Sequence, residues 1–172
     1  ALPIYEETVR GVPPMPPIGS GYRFHVTGLI HDKLGFPTSR PDEVKGLNER
    51  LFRKIDRFFH DIQLVDRYET EDCDHLVIAY GSVARSAKLA VRQARERGVK
   101  AGLLTLRTLF PFPRIHVEPL LRHCSKILVP ELNMGQISRE VKRVNNGRVQ
   151  VRTINRVDGQ IITPSQILKE IS

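Results

Sequence analysis

Glu131 and Asn133 are the side chains whose chemistry comes closest to acid–base catalysis. They follow a short apolar run, residues 126–129, which predicts a buried strand, so a carboxylate and an amide would stand where a strand ends. A carboxylate in that position can act as a catalytic acid oriented by the amide, and about as often it only anchors structure. The sequence leaves both interpretations open.

Gly81 and Ser82 lie between a predicted strand and a predicted helix, where free backbone N–H groups and the helix dipole can bind a phosphate. Neither the G-x-G-x-x-G pattern nor the G-x-x-x-x-G-K-[ST] pattern is present. We therefore expect Ser82 to cap its own helix while Gly81 makes the turn.

Histidines and cysteines are the remaining candidate ligands. His25, His31 and Asp32 have the spacing H-x5-H-D, which matches no standard metal site, so an interface or turn role is favoured. Cys73 and Cys124 are distant in the sequence and outside any C-x-x-C pattern. They are typical of a reducing cytoplasm, and two cysteines do not supply the roughly four ligands of an iron–sulfur cluster.

Residues 75–98 position these candidates, because they predict a buried strand, a tight turn and a helix in succession. The helix has an apolar face rich in alanine, which lets it lie close to a sheet. A basic stripe occupies its other side: Arg85, Lys88, Arg92 and Arg95. A solvated face is the simplest interpretation of the stripe, and docking to an acidic protein or a phosphorylated cofactor is the functional one.

Strands and helices alternate through the rest of the chain. Strands are predicted at 63–68, 99–106, 126–129 and 149–154, and helices at 41–59, 114–123, from 136 and from 164. Either a Ser39–Asp42 capping box or Arg40 ahead of Pro41 could begin the helix at 41. This alternation predicts an α/β fold with three layers, α/β/α, around a mostly parallel sheet. The loops after three parallel strands would then share one edge, where ligands and partners of such sheets bind.

The first 41 residues differ in composition from the rest. They contain seven of the twelve prolines, so we expect an extended arm at 1–41, with a possible edge strand at 22–30. A connecting helix at 42–60 and an α/β domain at 61–172 would follow. The chain begins with Ala1 rather than Met, which suggests a piece of a longer protein.

Composition narrows the class of protein. Hydrophobic residues make up 40% and charged residues 27% of the 172 residues, as in soluble globular proteins. No apolar run approaches the roughly 20 residues of a membrane span, and no leader indicates export. The net charge of +8 permits a nucleic-acid partner, but a solvated surface is favoured because only 6% of residues are aromatic.

Several motifs, in order along nearly the whole chain, resemble one family. They are FHVTGLIHDKLGFPT at 24–38, AYGSVARSAK at 79–88, FPFP at 110–113, ELNMGQ at 131–136 and ITP at 162–164. They are similar to the C-terminal part of α subunits of 2-oxoacid:ferredoxin oxidoreductases, especially the 2-oxoglutarate type. The resemblance implies a transketolase C-terminal-like domain.

The resemblance also implies an enzyme that uses thiamine diphosphate with Mg, coenzyme A and iron–sulfur clusters, and that reduces ferredoxin. The metal–diphosphate motif and the pyrimidine-binding domain lie outside this chain, so we assign it no catalytic, cofactor-binding or metal residue. We expect a cytoplasmic, architectural part that contacts the β subunit, the preceding pyrimidine-binding domain and ferredoxin. The candidate interface residues are His25, Thr27, His31, Asp32, Ser82, Arg85, Thr108, Phe110, Glu131, Asn133 and Gln136.

Two alternatives remain at this point. The first is the C-terminal domain of another thiamine enzyme, a transketolase or a 2-oxoacid dehydrogenase β subunit, against which the motif at 24–38 argues. The second is a basic nucleic-acid-binding module, whose affinity would fall steeply with salt.

Overall fold

A computed structural model describes residues 5–25 and 29–172, in two compact units, Ala1–His60 and Asp61–Ser172. None of the helices in these described ranges combines the length and the apolarity that crossing a membrane requires.

The first unit contains one long helix, α1, at Pro41–Arg57. Arg40 occupies the N-cap position with extended backbone and Pro41 begins the helix, so the second of the two predicted starts is correct. The predicted strand at 22–30 is wrong for the described residues 22–25 and 29–30, which have no strand pairing. An isolated bridge joins His31 to Pro37 instead. A prolyl-rich segment without a regular partner strand cannot propagate a ladder.

After α1, a short helix at Phe59–Ile62 was not predicted, and the later strands and helices follow one another as the sequence predicts. Strands are β1 at Val65–Tyr68, β2 at His75–Tyr80, β3 at Ala101–Leu106, β4 at Lys126–Glu131 and β5 at Gln150–Asn155. Helices are α2 at Phe59–Ile62, α3 at Val83–Glu96, α4 at Arg114–Leu121, α5 at Gln136–Asn145 and α6 at Pro164–Ile171.

The five strands form one sheet in the order β1-β3-β2-β4-β5. β1 is antiparallel to β3, and the other neighbours are parallel. The prediction of a mostly parallel sheet is therefore confirmed. β2, β3 and β4 end at one edge of the sheet, which we call the carboxyl edge, and begin at the opposite one, the amino edge.

Helices cover both faces of the sheet, because successive residues of a strand point to opposite faces. Val77 and Ala79 of β2 pack with α3 and α6, whereas Leu76 and Ile78 pack in the cluster that includes α4 and α5. The alanines predicted to face the sheet from α3, Ala87, Ala90 and Ala94, are completely buried, and they allow a close approach. The three-layer prediction is confirmed.

Candidate functional site

The carboxyl edge brings together the loops that follow β2, β3 and β4. Tyr80 at the end of β2 is in register with Leu106 at the end of β3, and β4 runs parallel to β2 on its other side. The three loops therefore leave the sheet at the same edge, as predicted. They are Gly81–Ser82, residues 107–113 and residues 132–135.

Glu131 is completely buried at this edge. One carboxylate oxygen accepts the backbone N–H of Ile137 at 2.9 Å and the other accepts that of Ser138 at 3.0 Å. These are donors of the first turn of α5, which lack partners within the helix, and a negative charge is also favourable against the helix dipole. Of the two interpretations of Glu131, the structure supports the anchor, because both oxygens are occupied by the helix that the chain forms next.

Asn133 organises the loop between β4 and α5. Its side-chain oxygen accepts the backbone N–H of Gly135 at 2.8 Å and of Gln136 at 3.0 Å, and its amide donates to the Tyr80 hydroxyl. The amide of Asn155, at the end of β5, donates to the Asn133 carbonyl at 3.0 Å. Gly135 adopts φ +89°, a backbone conformation that favours glycine. Asn133 thus shapes the loop rather than orienting a reactive carboxylate.

Tyr80 joins this network from β2. Burial raises the pKa of Tyr80, and the negative charge of Glu131 raises it further. The hydroxyl therefore stays protonated over the physiological range.

Ser82 and Arg85 are exposed at the start of α3. Ser82 occupies the N-cap position, but its backbone is already helical, with φ −64° and ψ −31°, and its side chain makes no capping hydrogen bond. The predicted capping by Ser82 is wrong, because a capping side chain needs extended backbone to reach the N–H groups of the first turn.

Thr108 and Phe110 follow β3 and behave differently. The Thr108 hydroxyl donates to the Ile62 carbonyl at 2.5 Å and accepts the Leu64 N–H at 3.4 Å, so it secures the chain entering β1. Phe110 is 75% exposed, ahead of a cis peptide bond to Pro111.

Exposed apolar residues near this edge were not singled out by the sequence. Met134 is 70% exposed and Leu132 is 42% exposed, both in the loop after β4. The sequence did contain a signal for them. Two large apolar residues alternate with polar ones after the predicted strand at 126–129 has ended, in a segment expected to be a loop.

The arm residues lie in the first unit. Asp32 accepts the backbone N–H groups of Leu34 at 2.9 Å and Phe36 at 3.0 Å, so the predicted turn role is supported. The rings of His31 and Tyr5 are in contact, with centroids 3.7 Å apart. Thr27 lies outside the described residues. Across residues 5–25 and 29–172 there is no group of three or more histidine, cysteine or acidic residues that could hold a metal ion.

The basic stripe on α3 is less uniform than its sequence suggests. Arg95 is committed to the loop after β1: it bonds the Glu69 carbonyl at 2.8 Å and the Asp72 carboxylate at 2.6 Å. The Lys88 ammonium lies 5.1 Å from the Tyr68 ring centroid. Arg85 and Arg92 are exposed, and Arg92 pairs only loosely with its own helix.

The cysteines do not fit an iron–sulfur cluster. Cys73 and Cys124 are both buried, with their sulfurs 3.6 Å apart, and each sulfur also lies 3.5 Å from a backbone carbonyl. An iron–sulfur cluster needs about four ligands, and this pair supplies two.

Comparisons with known proteins agree on one family. Residues 73–167 match the family described as pyruvate:ferredoxin oxidoreductase core domain II. The chain is 43% identical over 162 residues to 2-oxoglutarate synthase subunit KorA of Methanothermobacter thermautotrophicus, covering 94% of this chain and 43% of that protein. The chain thus spans less than half the length of this curated relative.

Solved structures show the same fold. A 2-oxoglutarate:ferredoxin oxidoreductase from Magnetococcus marinus, determined with 2-oxoglutarate, coenzyme A and succinyl-CoA bound, aligns with a TM-score of 0.77 at 24% identity. The alignment covers 97% of this chain and 29% of that one. A split-gene transketolase aligns with a TM-score of 0.52 at 18% identity over 59% of this chain and 38% of that one. Together with the sequence matches, this fold confirms the predicted resemblance: the chain belongs to the pyruvate:ferredoxin oxidoreductase core domain II family.

Proposed function

We propose that this chain is the C-terminal part of the α subunit of a 2-oxoacid:ferredoxin oxidoreductase that acts on 2-oxoglutarate. The complete enzyme would oxidatively decarboxylate the 2-oxoacid, form the acyl-CoA thioester and pass two electrons to ferredoxin. The identity of 43% with a 2-oxoglutarate synthase subunit over 94% of the chain is the observation that carries this proposal.

The role of this part within the enzyme is architectural. Glu131 and Asn133, the best acid–base candidates, are used to hold α5 and its loop. Thiamine diphosphate, Mg and the iron–sulfur clusters would be bound by other parts of the enzyme, where they supply decarboxylation and electron transfer. Residues 1–41 would serve as the arm, 42–60 as the connecting helix and 61–172 as the transketolase C-terminal-like domain.

The carboxyl edge supports contact with another part of the assembly. Phe110 and Met134 expose large apolar side chains in two loops of that edge, and such side chains are enriched in the centres of protein interfaces. Ser82, Arg85 and Gln136 are exposed nearby and would form the polar rim. The β subunit or the preceding pyrimidine-binding domain would be the partner here.

Ferredoxin is the third proposed partner. Lys88 and Arg92 on α3 are exposed and would attract an acidic protein, whereas Arg95 serves the loop after β1. The enzyme would work in the cytoplasm, since the two free thiols fit a reducing compartment.

Activity is tested on the full-length α subunit expressed with its β subunit under anaerobic conditions. We expect reduction of ferredoxin or of a viologen dye that requires both 2-oxoglutarate and coenzyme A, and no turnover by this chain alone. Higher specificity for a different 2-oxoacid would contradict the proposed substrate. Turnover by the isolated chain would contradict the architectural role.

The interface is tested by placing a charge on it. Phe110→Asp in the full-length α subunit should weaken its association with the β subunit at least tenfold, measured by titration or analytical ultracentrifugation. Gln150→Asp is the matched control, because Gln150 is exposed at the start of β5, at the amino edge. Equal association of the two variants, with unchanged circular dichroism, would show that Phe110 does not contact the partner.

A further inference from the structure

Two cysteines meet at the amino edge of the sheet. Cys73 stands two residues before β2 and Cys124 two residues before β4, and these strands are neighbours with His75 in register with Lys126. Continuing that register by two residues places Cys73 opposite Cys124. Their sulfurs are 3.6 Å apart, although 51 residues separate them in the sequence.

The backbone around the two thiols already holds them in place. The Asp74 carbonyl accepts the N–H groups of Ser125 at 2.8 Å and Lys126 at 3.2 Å, so the two cysteine-bearing loops are joined by hydrogen bonds. A disulfide has a sulfur–sulfur distance of about 2.05 Å, so the sulfurs need to approach by roughly 1.5 Å, which side-chain rotation shared between them can provide.

The absence of a side chain at Gly102 makes room for Cys73. Gly102 of β3 lies directly beside it, and a β-carbon at position 102 would stand 2.8 Å from the Cys73 β-carbon and 3.0 Å from its sulfur. Arg95 fixes the loop that contains Cys73 through its bonds to Glu69 and Asp72. The loop before β2 that carries Cys73 is thus held by hydrogen bonds of a helix side chain.

The two thiols differ in acidity. The hydrogen bond between the two thiols lowers the pKa of Cys73, against the opposing effect of burial, and the positive charge of Arg95 also lowers it. The bond to Cys73 and burial both raise the pKa of Cys124. This difference favours Cys73 as the sulfur that reacts first, because the thiolate is the nucleophile.

We propose that Cys73 and Cys124 are a modification site at which a peroxide forms a reversible intramolecular disulfide, linking the loop at 69–74 to the loop at 122–125. A peroxide is the oxidant class that suits the site, because the thiols are only 5% and 6% exposed and a larger disulfide reagent would not reach them.

The reaction has two balanced steps. The Cys73 thiolate attacks one peroxide oxygen, the O–O bond breaks, and the departing hydroxide takes up the thiol proton to become water, leaving Cys73 as a sulfenic acid. Cys124 then attacks the Cys73 sulfur, the S–O bond breaks, and hydroxide leaves with the Cys124 proton as a second water. Two thiols lose two electrons in total, and one hydrogen peroxide is reduced to two waters.

The test uses the reduced chain treated with one equivalent of hydrogen peroxide, alkylated and digested with trypsin. The expected product is peptide 68–85 joined to peptide 123–126, with loss of both alkylated thiols and recovery of both after dithiothreitol. Peptide mapping is needed because the exposed Met15 and Met134 take up oxygen too, and dithiothreitol does not reverse that change. The melting temperature of the oxidised chain should rise by roughly 10 °C, because the bond closes a long loop.

Cys124→Ser and Cys73→Ser separate the proposed pathway from others. In the Cys124→Ser variant, Cys73 should be oxidised to a sulfenic acid or a higher oxidation state, with no disulfide. In the Cys73→Ser variant, Cys124 should remain a reduced thiol at the same peroxide dose. The proposal would be overturned if both thiols of the wild-type chain were still available for alkylation after peroxide treatment. It would also be overturned if disulfides formed only between two chains. A disulfide that leaves the melting temperature unchanged would overturn the proposed locking of the two loops. Failure of any of these tests leaves the proposed enzymatic role unaffected, since that role rests on the carboxyl edge and on the relatives.

Discussion

Glu131→Gln removes the charge that holds the start of α5 while keeping the shape of the side chain. In the wild-type chain the carboxylate accepts two backbone N–H groups, those of Ile137 and Ser138, at a completely buried position. The glutamine keeps one acceptor oxygen, but its amide group turns a donor toward the second N–H. Glu140→Gln, on the outer side of the same helix, is the matched control.

The expected loss follows from these two bonds. A hydrogen bond to a charged group contributes about 1.5–3 kcal/mol, and an unsatisfied buried donor costs about 1–3 kcal/mol. Relief of the desolvation of a buried carboxylate offsets part of this sum. We therefore expect Glu131→Gln to lower the free energy of unfolding by roughly 3 kcal/mol, and Glu140→Gln by less than about 0.5 kcal/mol, as is usual for exposed pairs.

Urea unfolding followed by circular dichroism measures the difference, and amide hydrogen exchange locates it. Ile137 and Ser138 should exchange faster in Glu131→Gln, while the amides of β2 should keep their protection. A Glu131→Gln variant as stable as the control would refute the conclusion that this carboxylate serves as the anchor of α5, and would reopen its candidacy as a catalytic acid.

Tyr80 supplies an independent measurement on the same network. Its pKa is raised in the folded chain, so the folded state retains its proton when the unfolded state loses it. The associated stability is present below the ordinary tyrosine pKa of about 10 and is lost as the pH rises above it. Because the charge of Glu131 contributes to the shift, Glu131→Gln should lower the Tyr80 pKa, as measured by ultraviolet or NMR titration. An unchanged Tyr80 titration would mean that Glu131 does not carry its charge beside the phenol.

Three further substitutions test the packing and the surface. Gly102→Ala should cost at least about 2 kcal/mol in urea unfolding, because the new β-carbon would lie 2.5 Å from the Glu69 carbonyl oxygen; an equal midpoint would show that this loop moves freely. Thr163→Ala removes the capping box of α6 and should cost about 1 kcal/mol, with no loss expected if the helix is held by packing alone. The Arg156 guanidinium lowers the pKa of Asp158 to about 2, so the stability linked to this carboxylate is lost as the pH falls from about 4 to about 2. Arg156→Gln should return the NMR titration midpoint of Asp158 toward about 4, and an unchanged midpoint would exclude the pair as the cause.

The layered fold was predictable because local pattern and tertiary packing coincide in it. The face of α3 that carries Ala87, Ala90 and Ala94 is apolar at helical spacing and is completely buried against the sheet. The arm was not predictable in the same way. Aromatic and β-branched residues at 22–30 are typical of a strand, but a strand forms only where a partner edge is present, and composition does not reveal the partner.

The chemistry of the site was less predictable than its location. The sequence placed Glu131 at the end of a strand, but the direction of its side chain depends on a loop whose shape is set by Asn133 and Gly135. Ser82 has the residue type of a cap but lacks the extended backbone that capping requires. Both outcomes are decided by backbone dihedrals in short loops, to which residue type is only a weak guide.

The proximity of the two cysteines could have been predicted from the sequence, because each has the same offset from a predicted strand. Cys73 and Cys124 each precede a strand by the same two residues, and parallel strands that are neighbours align such positions at the amino edge. Distance along the sequence therefore says little about cysteines that sit at equivalent offsets in an α/β sheet.

The β2 strand also separates the proposed disulfide site, at the amino edge of the sheet, from the proposed subunit interface, at the carboxyl edge. The β2 strand places Cys73 before one of its ends and the Tyr80–Glu131 network at the other, and its six residues span about 20 Å. Changes at sites farther apart than about 10 Å, with no shared partners, are usually additive. Oxidation of the thiol pair should therefore leave the effect of Phe110→Asp on subunit association unchanged. If oxidation did change the effect of Phe110→Asp, the strands of the sheet would have to move, because β2 is the element that connects the two edges.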